Sequence, residues 1–71
     1  MELGDLIDAL NPDIDIRVIS WAYDPQDEKE LYAGTAGKFW AAIVGNARRW
    51  AIKELEVTGV DIDSDVMYVY V

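Results

Sequence analysis

The chain has 71 residues, with 14 Asp and Glu against 6 Lys and Arg, and contains neither His nor Cys. Those counts exclude disulfides and zinc sites of the Cys/His type, and a net charge of −8 sets the surface against nucleic-acid phosphates and anionic membranes. Cohesion must come from one small apolar core, so the chain reads as a single domain, 1–71, in which 52% of residues are apolar and eight are aromatic.

In chain order, Leu3, Leu6, Ile7 and Leu10 share one helical face, with Glu2, Asp5 and Asp8 off it. The spacing predicts a short helix over 3–10, ended by Asn11-Pro12. Residues 15–21 are rich in β-formers, Asp24-Pro25-Gln26-Asp27 signals a turn, and 29–33 return as the second strand of a hairpin. Thr35 reads as an N-cap. Behind it, Ala36, Phe39, Trp40, Ile43, Val44, Ala47, Trp50 and Ala51 keep helical spacing. Gly45-Asn46 interrupts that run and either kinks the helix or splits it in two; the phase is kept across the interruption, which favours one bent helix over 36–51. With Trp50 on its apolar stripe, Trp50→Ala is expected to cost about 3–5 kcal/mol.

Glu54-Leu55-Glu56-Val57 alternates as a strand, and Thr58-Gly59 resets the phase as a bulge does before Val60 and Ile62. Asp63-Ser64-Asp65 is a turn, and residues 66–71 form a last strand. The expected fold is α+β in the order α-β-β-α-β-β, an antiparallel sheet packed against one longer helix.

Chemistry has few places to reside. His, the usual general base, is missing, and neither Ser20 nor Ser64 lies in a nucleophile-elbow setting. Gly34-Thr35-Ala36-Gly37-Lys38 lacks the Gly-Lys-Ser/Thr spacing of a phosphate loop. Asp61-x-Asp63-x-Asp65 copies the first three ligand positions of a calcium loop, but Val66 stands where the loop needs Gly, and the closing Glu is missing. The expectation is a protein that is not an enzyme and needs no cofactor or metal.

The acids matter as a pattern. Side chains two apart on a strand share a face about 6.6 Å apart, which would align Glu54 with Glu56, Asp61 with Asp63 and Asp13 with Asp15. Such rows fit a basic groove built for a nucleic-acid backbone. Solubility is the plainer explanation for the same charge. Trp21, Tyr68 and Tyr70 lie partly on the second face of their strands, where exposed aromatics serve as interface anchors. The expected partner-binding residues are therefore Glu54, Glu56, Asp61, Asp63, Asp65, Trp21, Tyr68 and Tyr70.

The stretch from Leu6 to Val18, Leu-Ile-Asp-Ala-Leu-Asn-Pro-Asp-Ile-Asp-Ile-Arg-Val, carries a resemblance, as does Glu30 to Phe39, Glu-Leu-Tyr-Ala-Gly-Thr-Ala-Gly-Lys-Phe. With the C-terminal Glu-Val-Thr-Gly-Val and Val-Met-Tyr-Val-Tyr-Val, they resemble small acidic proteins encoded by phages and prophages of Gram-positive bacteria. The segment Trp40 to Lys53 is longer than in that group. The resemblance implies a phage setting and brings no catalytic residue. Small acidic phage proteins include inhibitors of host defence such as anti-CRISPR proteins, some of them nucleic-acid mimics.

The function expected from these readings is a non-enzymatic binding protein that engages a basic, nucleic-acid-handling host protein, without direct contact to nucleic acid or membrane. No apolar run approaches 18 residues, and the acidic Met-Glu-Leu-Gly-Asp start lacks the basic flank of a signal peptide, so the expected location is the host cytoplasm. The alternative is a small assembly protein acting through homo-oligomerisation.

Overall fold

The computed structural model of the chain describes residues 1–20 and 29–71. Helix α1, Leu3–Ala9, buries Leu3, Gly4 and Ile7. Its C-terminal exit is fixed by the Asp13 N–H donating to Asn11 Oδ1 at 2.9 Å, a local turn that Asn before Pro favours. A Cβ at Gly4 would stand 3.0 Å from the Trp40 ring and 3.2 Å from the Lys53 carbonyl oxygen, so a glycine lets α1 lie close against the later helices.

Four strands follow the expected alternation: β1, Asp15–Ser20; β2, Lys29–Thr35; β3, Gly59–Asp63; and β4, Val66–Tyr70. They form one sheet in the order β2-β1-β4-β3. Both hairpin pairs, β1 with β2 and β3 with β4, are antiparallel, but the central pair, β1 with β4, is parallel. The sheet is therefore mixed, not antiparallel throughout as the sequence reading expected. Burial explains the arrangement. Val69 of β4 is fully buried, whereas all of β3 after Gly59 is exposed. The apolar strand takes the centre, the acidic strand takes the edge, and the second hairpin must then dock with β4 running alongside β1.

The helix expected over 36–51 is four short pieces. Ala36–Lys38 is a 3₁₀ turn, α2 spans Phe39–Ile43, α3 spans Ala47–Trp50, and Ala51–Glu54 is again 3₁₀. Thr35 occupies the N-cap position with extended backbone, but its side chain makes no capping bond. The break between α2 and α3 has two causes. Gly45 takes φ +83°, a left-handed conformation that ends α2 cheaply only at glycine, and the Asn46 side chain caps α3 by accepting from the N–H of Arg48 and Arg49. Phe39 and Ile43 keep their place in the core, while Trp50 emerges 42% exposed.

Residues 54–57 are not a strand of the sheet. Glu54 closes the 3₁₀ helix, and 55–57 run antiparallel to the N-terminal residues: Leu3 N–H donates to the Leu55 carbonyl and Val57 N–H to the Met1 carbonyl, each at 2.8 Å. The bulge expected at Thr58-Gly59 has no strand to interrupt, since β3 begins at Gly59 and pairs with β4 in unbroken register; the Thr58 N–H and hydroxyl both donate to the Tyr70 carbonyl, at 2.7 and 3.1 Å. The turn between β3 and β4 is as expected. Ser64 and Asp65 have φ of 48° and 69°, the left-handed pair that matches the twist of a two-residue hairpin loop. The expected turn at 24–27, together with Trp21 and Tyr23, lies outside the described residues.

Candidate protein-binding surface

Ile16, Val18 and Val69 point into the core shared with Leu3, Ile7, Phe39 and Ile43 of the helices. Strand alternation turns the neighbours of the three strand residues to the opposite face of the sheet. Register then orders that face into rows. Arg17 of β1 pairs with Tyr68 of β4, which pairs with Asp61 of β3; Asp15, Val66 and Asp63 form the adjacent row. Tyr68 is half-buried between a cationic and an anionic neighbour, and Arg17 also meets Glu30 at 3.6 Å. A depression of about 280 Å³, lined in part by Asp15, Arg17, Ala33 and Val66, opens on the same side.

β3 is the sheet edge, and its two faces differ. Val60 pairs with buried Val69 and Ile62 with Met67, so both lie on the core face, yet they are 48% and 68% exposed because the helical layer stops short of them. Asp61 and Asp63 occupy the other face. Residues 54–71 hold five acids and no Lys or Arg. Asp61 Oδ1 accepts from the Ile62 N–H at 2.9 Å, and Asp63 Oδ1 accepts from the Ser64 hydroxyl at 3.3 Å.

The structure thus brings together Asp61, Asp63 and Tyr68, with Asp65 in the turn beside them. Tyr70 shares the face, half-buried at the far end opposite Gly59. Glu54 and Glu56 do not form a row, because their segment is not a strand. Glu54 pairs with Lys53 at 3.2 Å, and Glu56 pairs with the Met1 amine, whose pKa that hydrogen bond raises. Asp13 lies in the turn before β1 and does not join Asp15 in a row. Trp21 is outside the described residues. Among the described residues no three carboxylates converge on a metal position; Asp61 and Asp63 share a face, but Asp65 has left the strand for the turn.

Sequence reasoning missed Val60 and Ile62. Their alternation with Asp61 and Asp63 was visible, but exposure on the core face depends on where the helices end. It also missed that Lys29, Arg48 and Arg49 gather around a groove of about 400 Å³ with Leu31 and Ile52, on the β2 side. Arg49 Nη2 donates there to the Leu31 carbonyl of β2 at 3.2 Å. Among the described residues the β2 side carries Glu30 with these three cations, whereas β3 carries Asp61 and Asp63 and no cation.

The chain matches no protein-family model, no curated protein and no solved structure. No helix among the described residues is long and apolar enough to cross a membrane.

Proposed function

We propose that this chain is a non-enzymatic binding protein of phage type that engages a basic host protein through the β3–β4 hairpin. The observation that carries the reading is the composition of one exposed strand, with Val60 and Ile62 on one face and Asp61 and Asp63 on the other. An exposed edge strand that is apolar on one face and acidic on the other suits a partner that engages the edge: the apolar face supplies area, and the acids steer and select a basic partner. Tyr68, beside Asp61, is an aromatic of the kind that anchors such contacts. The absence of His and Cys supports binding over catalysis. A nucleic-acid-handling target in the host cytoplasm, as for an anti-defence inhibitor, fits the acidic surface and the resemblance noted above.

The test is capture from host lysate by the wild-type chain and by a variant carrying Asp61→Lys, Asp63→Lys and Asp65→Lys. A basic protein held at low salt, released as salt rises and lost with the variant is the expected result. A partner retained equally by both chains, or none at low salt, would contradict the reading. The alternative of self-assembly draws on the exposure of Val60 and Ile62, and predicts association that persists at high ionic strength in sedimentation.

A further inference from the structure

The β3 strand offers more than side chains. In a two-residue hairpin the residues flanking the loop, here Asp63 and Val66, form a hydrogen-bonded pair, and bonded and non-bonded pairs then alternate along the ladder. Asp61 with Tyr68 is the next bonded pair. Val60 and Ile62 are the non-bonded ones, so their N–H and C=O groups point away from β4 to the open edge. The Ile62 N–H bears this out: its acceptor is a side chain, Asp61 Oδ1, not a strand carbonyl. At the opposite edge α3 reaches over β2 through Arg49. At β3 the Asp61 carboxylate alone plays that part among the described residues.

We infer that the partner contributes an extended segment alternating apolar and basic residues, which joins the sheet along β3 as a fifth strand. This rests on the binding reading above and specifies its partner. Apolar residues of the added strand would lie beside Val60 and Ile62 and continue the core face. Its Lys or Arg residues would lie beside Asp61 and Asp63 on the other face. When a basic side chain takes the Asp61 carboxylate, the Ile62 N–H is released to a carbonyl of the incoming strand, so charge recognition and strand pairing favour each other. A second copy of this chain fits poorly. The two-fold pairing that sets Val60 against Ile62 also sets Asp61 directly against its own counterpart, and like charges opposite one another destabilise a strand pair.

The probe is the synthetic peptide Lys-Val-Lys-Val-Lys-Val-Lys, titrated into the full chain at low salt and followed by amide resonances. Two further versions are N-methylated, one at every Val and one at every Lys. Strand addition uses the N–H groups of alternate residues only. The unmodified peptide should therefore shift the amides of Val60 and Ile62. One methylated version should bind about tenfold or more weakly, as expected when two or more backbone hydrogen bonds are removed, and the other should bind nearly as well. Loss with methylated Val marks antiparallel addition, and loss with methylated Lys marks parallel addition. Equal binding by all three peptides would mean charge attraction alone and would overturn strand addition, as would no response at Val60 and Ile62. If charge-dependent capture from lysate persists in either case, the binding reading stands and only strand addition falls.

Discussion

Phe39 and Tyr32 meet edge to face, their ring centroids 5.2 Å apart and their planes at 87°. This contact joins the first turn of α2 to the second strand, and it starts a chain of rings that leads outward. Phe39 meets Trp40 at 5.5 Å, and Trp40 meets Trp50 at 5.8 Å. Burial falls along the chain, from Phe39 with no exposed surface to Trp50 at 42%.

Phe39→Ala should therefore be the costly change, at about 3–5 kcal/mol, because it empties a site whose neighbours are fixed by the sheet. That is a large part of the stability of a small domain. Urea denaturation monitored by far-UV circular dichroism measures it. A loss under about 1 kcal/mol would show that Phe39 is not central to the core.

Trp50→Ala should cost only about 1 kcal/mol, well below the value expected from a continuous helical stripe. Trp50 touches the Trp40 ring and has the Lys53 ammonium 5.2 Å from its centroid, contacts of modest worth at an exposed site. Comparison of the two urea denaturation curves decides the matter: a Trp50 effect as large as that of Phe39 would contradict the broken helix.

Tyr32 ties stability to alkaline pH. Its hydroxyl donates to the Thr35 carbonyl at 2.6 Å, and burial pushes its pKa above the ordinary tyrosine value of 10.0. The folded chain therefore holds this proton where the unfolded chain has begun to lose it. The contribution is complete below pH 10 and is lost as pH rises through the raised folded value. Tyr32→Phe should lower stability by about 0.5–1.5 kcal/mol at neutral pH, and its stability should fall less steeply than the wild type's above pH 10. Parallel profiles for the two chains would contradict this.

Asn46→Ala should cost about 1 kcal/mol, because Asn46 Oδ1 accepts from Arg48 N–H at 3.1 Å and Arg49 N–H at 3.2 Å. Asn46→Asp, which keeps an acceptor, should restore most of it. Equal losses in both variants would show that the side chain does not cap α3.

The same residue shows how far the sequence could be read. Period-two alternation placed β1, β3 and β4, because Ile16, Val18 and Val69 leave only one face to bury. The loop at Ser64-Asp65 was legible from its turn residues. Helical phase continues across Gly45-Asn46 and favours one bent helix, but a glycine followed by a capping residue is a stop and a start, and phase alone does not separate the two. The alternation over 54–57 reads as a strand, but Glu54 belongs to the 3₁₀ helix and 55–57 pairs with the N-terminal segment, a pairing that nothing local distinguishes from one within the sheet. The parallel β1–β4 pair was not legible either, since it depends on which strand of the second hairpin is apolar enough to take the centre. Strand alternation alone puts Asp61 and Asp63 on one face; that Tyr68 lies beside Asp61 follows only from the β3–β4 register, and Glu54 and Glu56 form no row because their segment is not a strand.

The proposed surface requires β3 to be an open edge with Val60 and Ile62 turned outward. Amide hydrogen exchange, resolved residue by residue by NMR on the chain alone, tests that directly. The N–H groups of Asp61 and Asp63, bonded to β4, should exchange slowly, and those of Val60 and Ile62 should exchange much faster, giving an alternation along four consecutive residues. Uniform protection across 60–63 would mean that the edge is already covered, and uniformly fast exchange would mean that β3 is not held in the sheet; either result contradicts the proposed surface.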